Sequence, residues 1–287
     1  MVSIELSLNI SAGMYQQTQL RLRHNLENRL DMIREIVSAT FNKGPDALIK
    51  ELAPLYLGVN SSDAESSAFE VSVTIAHGIH VLQLDQGRES GHSGLVHPAE
   101  VAYVAKKLGL RGAHTAIGFL HDTLEDGTST ITDYRNLITS KFNSIQNGLG
   151  NYILFYVEGL SAKKHDDLLQ KKIGLIEQIK QQAEGRYAKI LRKVLGEDTL
   201  LNWKKHKVAD SLPNLLDLEF MGSKEGRSGE DRQRVKIYFA EEYILPIAEE
   251  IDSNSKNPLS YFEYLQELIE AHKCRISGQQ AGKPKVY

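Results

Sequence analysis

Cys274 is the only cysteine in the 287-residue chain, so no disulfide can form within it. That usage suits a reducing compartment, and a cytoplasmic location is the expectation. Long apolar runs are also missing. None approaches the roughly 18–20 residues of a membrane span, so no membrane partner is expected. The opening stretch MVSIELSLNISA contains Glu5 and no basic n-region, and does not read as a signal peptide. Charge of one sign is lacking too: Lys and Arg total 34 against 37 Asp and Glu, a formal net charge of −3. Nothing global therefore draws the chain to a nucleic-acid polymer. A phosphorylated ligand has to be held by local positive charge.

Period-two alternation, internal repeats and long low-complexity segments are absent as well, which leaves helices joined by short Gly, Pro, Ser and Asp punctuation. A hydrophobic content of 41% with 25% charged residues is ordinary for a globular protein. The pattern predicts helices over 14–41, 45–56, 68–83, 98–108, 113–124, 131–142, 152–160, 162–195, 200–218, 231–251 and 259–276. In the first of these, Leu20, Leu26, Leu30, Ile33 and Val37 form an inward stripe. NSSDAESS, at 60–67, reads as a linker. It divides an N-terminal helical extension, 1–66, from a main domain, 67–280. The fold class is all-α. The extension has no readable role, and a homo-oligomer stays open.

The stretch FLHDTLED, 119–126, sets four ionisable groups beside apolar positions. At about 100° per residue, His121, Glu125, Asp122 and Asp126 fall within about 140° of one another, next to a stripe of Ile117, Leu120 and Leu124. One reading is a solvated acidic face. The other is a metal site, since an adjacent His-Asp pair offers one nitrogen and one oxygen donor, as borderline divalent ions prefer. Gly118 is expected to leave room for a ligand one turn earlier. Further donors are His97, in GLVHPAEVA, and Asp210, in HKVADSLPNLLDL, where a buried aspartate needs a cationic partner.

The segments GRESGHSGLVHPAEVAYVAKKLGL, TAIGFLHDTLED, KFNSIQNGLGNYILFYVEGLS and KHKVADSLPNLLDL occur in that order. Together they resemble the HD-domain metal-dependent phosphohydrolases, and specifically the hydrolase domain of RelA/SpoT-like alarmone enzymes and their stand-alone small hydrolases. The resemblance covers roughly 68–220 and implies an HD-type helical bundle. Position by position it implies metal ligands at His97, His121, Asp122 and Asp210, with manganese as the usual ion. It also implies catalytic acids at Glu125 and Asp126, and substrate contacts at Arg88, Ser90 and Asn214. The implied reaction is hydrolysis of the 3′-pyrophosphate of ppGpp or pppGpp, giving GDP or GTP and pyrophosphate. Nothing after this region resembles a nucleotidyltransferase, so hydrolysis without synthesis is expected.

The resemblance departs from the family at Glu89, where a second basic residue is usual, at Gly94, usually aromatic, and at Ser211, usually Arg. These departures bear on the substrate more than on the chemistry. A phosphohydrolase for another nucleotide, such as NADPH or a deoxynucleotide, and a non-catalytic nucleotide sensor remain alternatives. Lys163, Lys164, Lys224 and Arg227 are candidates for the missing positive charge. Pro213 is expected to kink its helix. Elsewhere, His114 reads as surface or pocket wall, His206 as structural, and His80 and His92 as loop histidines flanking Arg88.

Overall fold

The computed structural model describes residues 2–82, 93–126, 131–160, 197–223, 228–255 and 257–278. Among them the fold is all-helical, with no strand. In chain order the elements are α1 (Val2–Thr40), α2 (Pro45–Tyr56), α3 (Asp63–Leu82), α4 (Val96–Lys107), α5 (Ala113–Leu120) and α6 (Thr123–Asp126). There follow α7 (Ile131–Asn143), α8 (Leu149–Leu160), α9 (Glu197–Leu216), α10 (Gly229–Phe239), α11 (Leu245–Asn254) and α12 (Tyr261–Ile276). A π-helical turn, Ala240–Ile244, joins α10 to α11.

The centre of the bundle is α4. Every residue from Val96 to Ala105 is buried, as expected of a helix that meets neighbours on all sides. It packs against α5, α9 and α1, while α3 and α8 cover the outer faces of α5. Helices α4 and α5 approach closely because Gly118 has no side chain: a Cβ there would stand 2.5 Å from Ala102 Cα. Gly118 thus makes room for a neighbouring helix rather than for a ligand.

Burying Glu100 in such a helix requires a counter-charge. Arg34 of α1 supplies it, with Nε 2.6 Å from Glu100 Oε1 and a terminal nitrogen 2.9 Å from Asp217 Oδ1. One guanidinium therefore ties α1 to α4 and to the residue just past α9. Further along α1, Leu26, Leu30, Ile33 and Val37 enter the same core as Val101, Leu212 and Ile269. Each such fully buried aliphatic side chain contributes about 1.5–3 kcal/mol.

Several expectations change. Leu20 is 60% exposed; the inward face of α1 is continued instead by Gln19 and Arg23. Gln19 donates to the Pro258 carbonyl and accepts from Ser260 N–H, both at 2.9 Å, while Arg23 pairs with Glu267. The expected linker is partly helix, because α3 begins at Asp63. Ser62 Oγ accepts from Glu65 N–H and Glu65 Oε2 accepts from Ser62 N–H, a reciprocal cap. The helix expected over 113–124 is interrupted: α5 ends at Leu120 and α6 starts at Thr123. Pro213 lies inside α9, as expected, and the helix continues past it to Leu216. The helix expected over 162–195 lies outside the described residues.

Candidate metal centre

Three helices converge on one point. His97 sits in the first turn of α4, His121 and Asp122 at the break after α5, and Asp210 on α9. His97 Nε2, His121 Nε2 and Asp210 form a group that can hold a metal ion, with donor atoms all within 4.8 Å of one another. Asp210 Oδ1 is 3.1 Å from His97 Nε2 and 3.6 Å from His121 Nε2. Asp122 Oδ2 is 2.9 Å from His121 Nε2 and 3.7 Å from His97 Nε2.

The break at residues 121–122 helps to aim these groups. His121 Nδ1 is 2.9 Å from the Gly118 carbonyl and Thr123 Oγ1 is 2.7 Å from that of Leu120. A carbonyl only accepts, so His121 Nδ1 carries a proton and Nε2 faces the carboxylates. Asp210 is held in turn by Asn214, whose amide donates to Asp210 Oδ1 and to its backbone carbonyl, both at 2.9 Å. Such outer contacts fix the orientation of ligand side chains.

The electrostatics call for positive charge here. Burial depresses the His121 pKa, but the carboxylates of Asp122 and Asp210 outweigh it and hold the imidazole well above its ordinary value. Burial raises Asp210, yet hydrogen bonds from His121 and His97 keep it well below the usual carboxylate range. Asp122 is lowered in the same way, by His121 against the cost of burial. The donor group of two imidazoles and the Asp210 carboxylate, with Asp122 beside it, fits a borderline divalent cation.

Beside Asp210 lies a small cleft of about 40 Å³ lined by Ser211, Asn214, Leu215, Lys236 and Phe239. Lys236 escaped the sequence reading because α10 carries no motif there; only the packing of distant segments brings it to Asp210. Glu125 and Asp126 close α6, the turn after His121 and Asp122. Arg88, Ser90, Glu89 and His92 lie outside the described residues, as do Lys163, Lys164, Lys224 and Arg227.

His80 is not a loop histidine. It lies on α3, 8% exposed, and burial lowers its pKa to about 4, with further repulsion from His97 and His121 against attraction by Asp122. A Cβ on Gly94 would stand 2.7 Å from His80 Nδ1, so the bare backbone at Gly94 accommodates this ring. His114 is buried rather than superficial: its Nδ1 is 3.1 Å from His206 Nε2 and its Nε2 is 3.0 Å from Tyr152 Oη. His206 is fully enclosed, as the sequence suggests, and Trp203 lies in the core.

No helix among the described residues is long and apolar enough to cross a membrane. No protein-family model matches the chain, and no solved structure matches it. Among curated proteins the chain is similar to the GTP pyrophosphokinase rsh of Brucella ovis, of Brucella abortus and of Brucella melitensis, at 36% identity over 87 residues. The aligned stretch covers 30% of this chain and only 10% of each of those relatives, so the likeness spans about a tenth of their length.

Proposed function

We propose that this chain is a metal-dependent phosphohydrolase that removes the 3′-pyrophosphate of ppGpp or pppGpp, leaving GDP or GTP. The observation that carries the reading is the convergence of His97, His121, Asp122 and Asp210 from three helices. The 36% identity to a GTP pyrophosphokinase supports a guanine nucleotide as substrate. Manganese is the ion proposed. Held by these four residues, a divalent ion supplies Lewis acidity and neutralises charge that develops on phosphate.

The remaining roles fall to the chain itself. His97 and His121 present Nε2, and Asn214 keeps Asp210 Oδ1 turned inward. Glu125 or Asp126 accepts a proton from the attacking water. The water oxygen bonds to the phosphorus carried on the ribose 3′ oxygen, that P–O bond breaks, and the 3′ oxygen takes up a proton. Lys236 and Ser211, beside Asp210, meet the outer phosphate. Arg88 and Ser90 are proposed to contact the nucleoside.

One observation favours a second reading. Ser211, 7% exposed, stands beside Asp210 where the resemblance leads one to expect Arg. A different nucleotide, such as NADPH or a deoxynucleotide, is the corresponding alternative, and a non-catalytic sensor is the third. The test is release of phosphate and pyrophosphate from a nucleotide panel, with Mn²⁺ or with chelator, for the wild type and Asp122→Ala. Pyrophosphate from ppGpp alone, lost with chelator and in the variant, is the expected result. Release from another nucleotide moves the substrate, and no release from any leaves the sensor.

A further inference from the structure

At the end of the α4–α5 pair remote from the metal centre is a second cavity, of about 500 Å³. From His97 to Lys106 is nine residues of α4, about 13–14 Å along the axis at 1.5 Å per residue. The two sites are therefore distinct. This volume is in the range of small-molecule pockets, which combine apolar walls with a few placed polar groups. The buried rings of Tyr56 and Phe69 supply apolar wall, and Ser61 and Thr115 supply hydroxyls. Ser61 Oγ accepts from Gly58 N–H at 2.8 Å, which leaves its O–H to donate.

Two cations complete the lining, Lys106 and Arg111. Lys106 Nζ is anchored 2.7 Å from the Leu55 carbonyl, a neutral acceptor. Burial lowers its pKa, and repulsion from Lys107 and Arg111 adds to that. Among the described residues neither Lys106 nor Arg111 is ion-paired with a carboxylate. Glu65 also lines the cavity while capping α3 through Ser62 N–H, so the lining carries two cations and one carboxylate. Lys106, half-buried, and Arg111, exposed, outnumber the one lining carboxylate, and a pocket of this size with that balance favours an anion with an organic body.

We propose that this cavity binds a small organic phosphate of about mononucleotide size, independently of the metal centre. Lys106 and Arg111 hold the phosphate, and Tyr56, Phe69 and the hydroxyls meet the rest. The test is calorimetric titration of the full chain with inorganic phosphate, AMP, GMP and an uncharged nucleoside, in the presence of chelator. Saturable binding of a monophosphate is expected with the chelator present, at least tenfold tighter than the uncharged nucleoside and weakened at least tenfold in Arg111→Gln. Arg111 is exposed, so this variant is expected to fold even if Lys106→Gln does not. Tighter binding of inorganic phosphate than of AMP or GMP would overturn the organic-phosphate assignment. Absence of saturable binding, or an affinity unchanged in Arg111→Gln, would overturn the site itself. Binding that requires added metal would assign the ligand to the metal centre instead.

Discussion

Arg34→Met tests how the N-terminal helix supports α4, the helix that carries His97 of the candidate metal centre. The substitution keeps an apolar stem and removes the cation that contacts Glu100 at 2.6 Å and Asp217 at 2.9 Å. Glu100 is 0% exposed and Asp217 is 8% exposed, so water replaces little of what is lost. Burial opposes the charge on Arg34, yet the two carboxylates raise its pKa, which shows that they outweigh burial. Removing one partner from a buried ion pair costs about 3–5 kcal/mol. Its contact with Asp31, at 3.3 Å, is exposed on the aspartate side and adds under about 1 kcal/mol. For a chain of this size the sum corresponds to a fall in Tm of roughly 6–12 °C. The assay is urea denaturation of wild type, Arg34→Met, Glu100→Gln and the double variant. The double variant should recover part of the loss, because a neutral amide at 100 no longer needs the cation. A loss below about 1 kcal/mol for Arg34→Met, or strictly additive losses in the double variant, would refute the reasoning.

Asn214→Ala frees Asp210 Oδ1 and should weaken Mn²⁺ binding about 10- to 100-fold with little change in Tm, read by calorimetry; unchanged affinity would remove Asn214 from the site. Lys236→Gln should raise KM for a phosphorylated substrate more than it lowers kcat, since the lysine lines the cleft but is not among the metal donors. His114, held at about 4, and His206, held well below its ordinary value, are both depressed chiefly by burial, so the folded state keeps them neutral while the unfolded chain takes up protons near pH 6.5. Their stabilisation is present above pH 6.5 and is lost as pH falls from about 6.5 towards 4, by up to about 1.4 kcal/mol per pH unit for each group. Denaturation curves at stepped pH should show a shallower acid slope in His114→Gln, and an unaltered slope would count against this. Gly118→Ala places a carbon 2.5 Å from Ala102 Cα and should cost about 1–3 kcal/mol by overpacking, whereas full stability would mean that α4 and α5 are not pressed together there.

The all-helical class was legible because amphipathic spacing and helix punctuation agree along most of the chain. His97, His121, Asp122 and Asp210 stood out because ionisable side chains among apolar neighbours require compensation. The misreadings share a physical origin, in that tertiary contacts decided what the local pattern left open. Leu20 matched the hydrophobic stripe of α1, but the surface facing that turn offers a carbonyl and an N–H, so Gln19 faces inward instead. NSSDAESS looked like linker by composition, although its Ser62-x-x-Glu65 spacing is a capping signal that marks the start of α3. His114 and His206 gave no hint of each other, 92 residues apart, until α5 and α9 brought their nitrogens within 3.1 Å. Lys236 was invisible for the same reason.

The position of α4 divides the molecule for anyone who wishes to redesign it. His97 is carried on a helix with no exposed face between Val96 and Ala105, so that wall tolerates neither new volume nor a shift in register. Lys236 is exposed on α10, a helix in which only Ile237 is buried, so the exposed side chains around it can be exchanged at little cost to the core. Under the proposed function, libraries built on α10 should therefore retune which phosphorylated molecule is accepted while leaving His97, His121 and Asp210 in register, whereas libraries on α4 should return mostly unfolded chains.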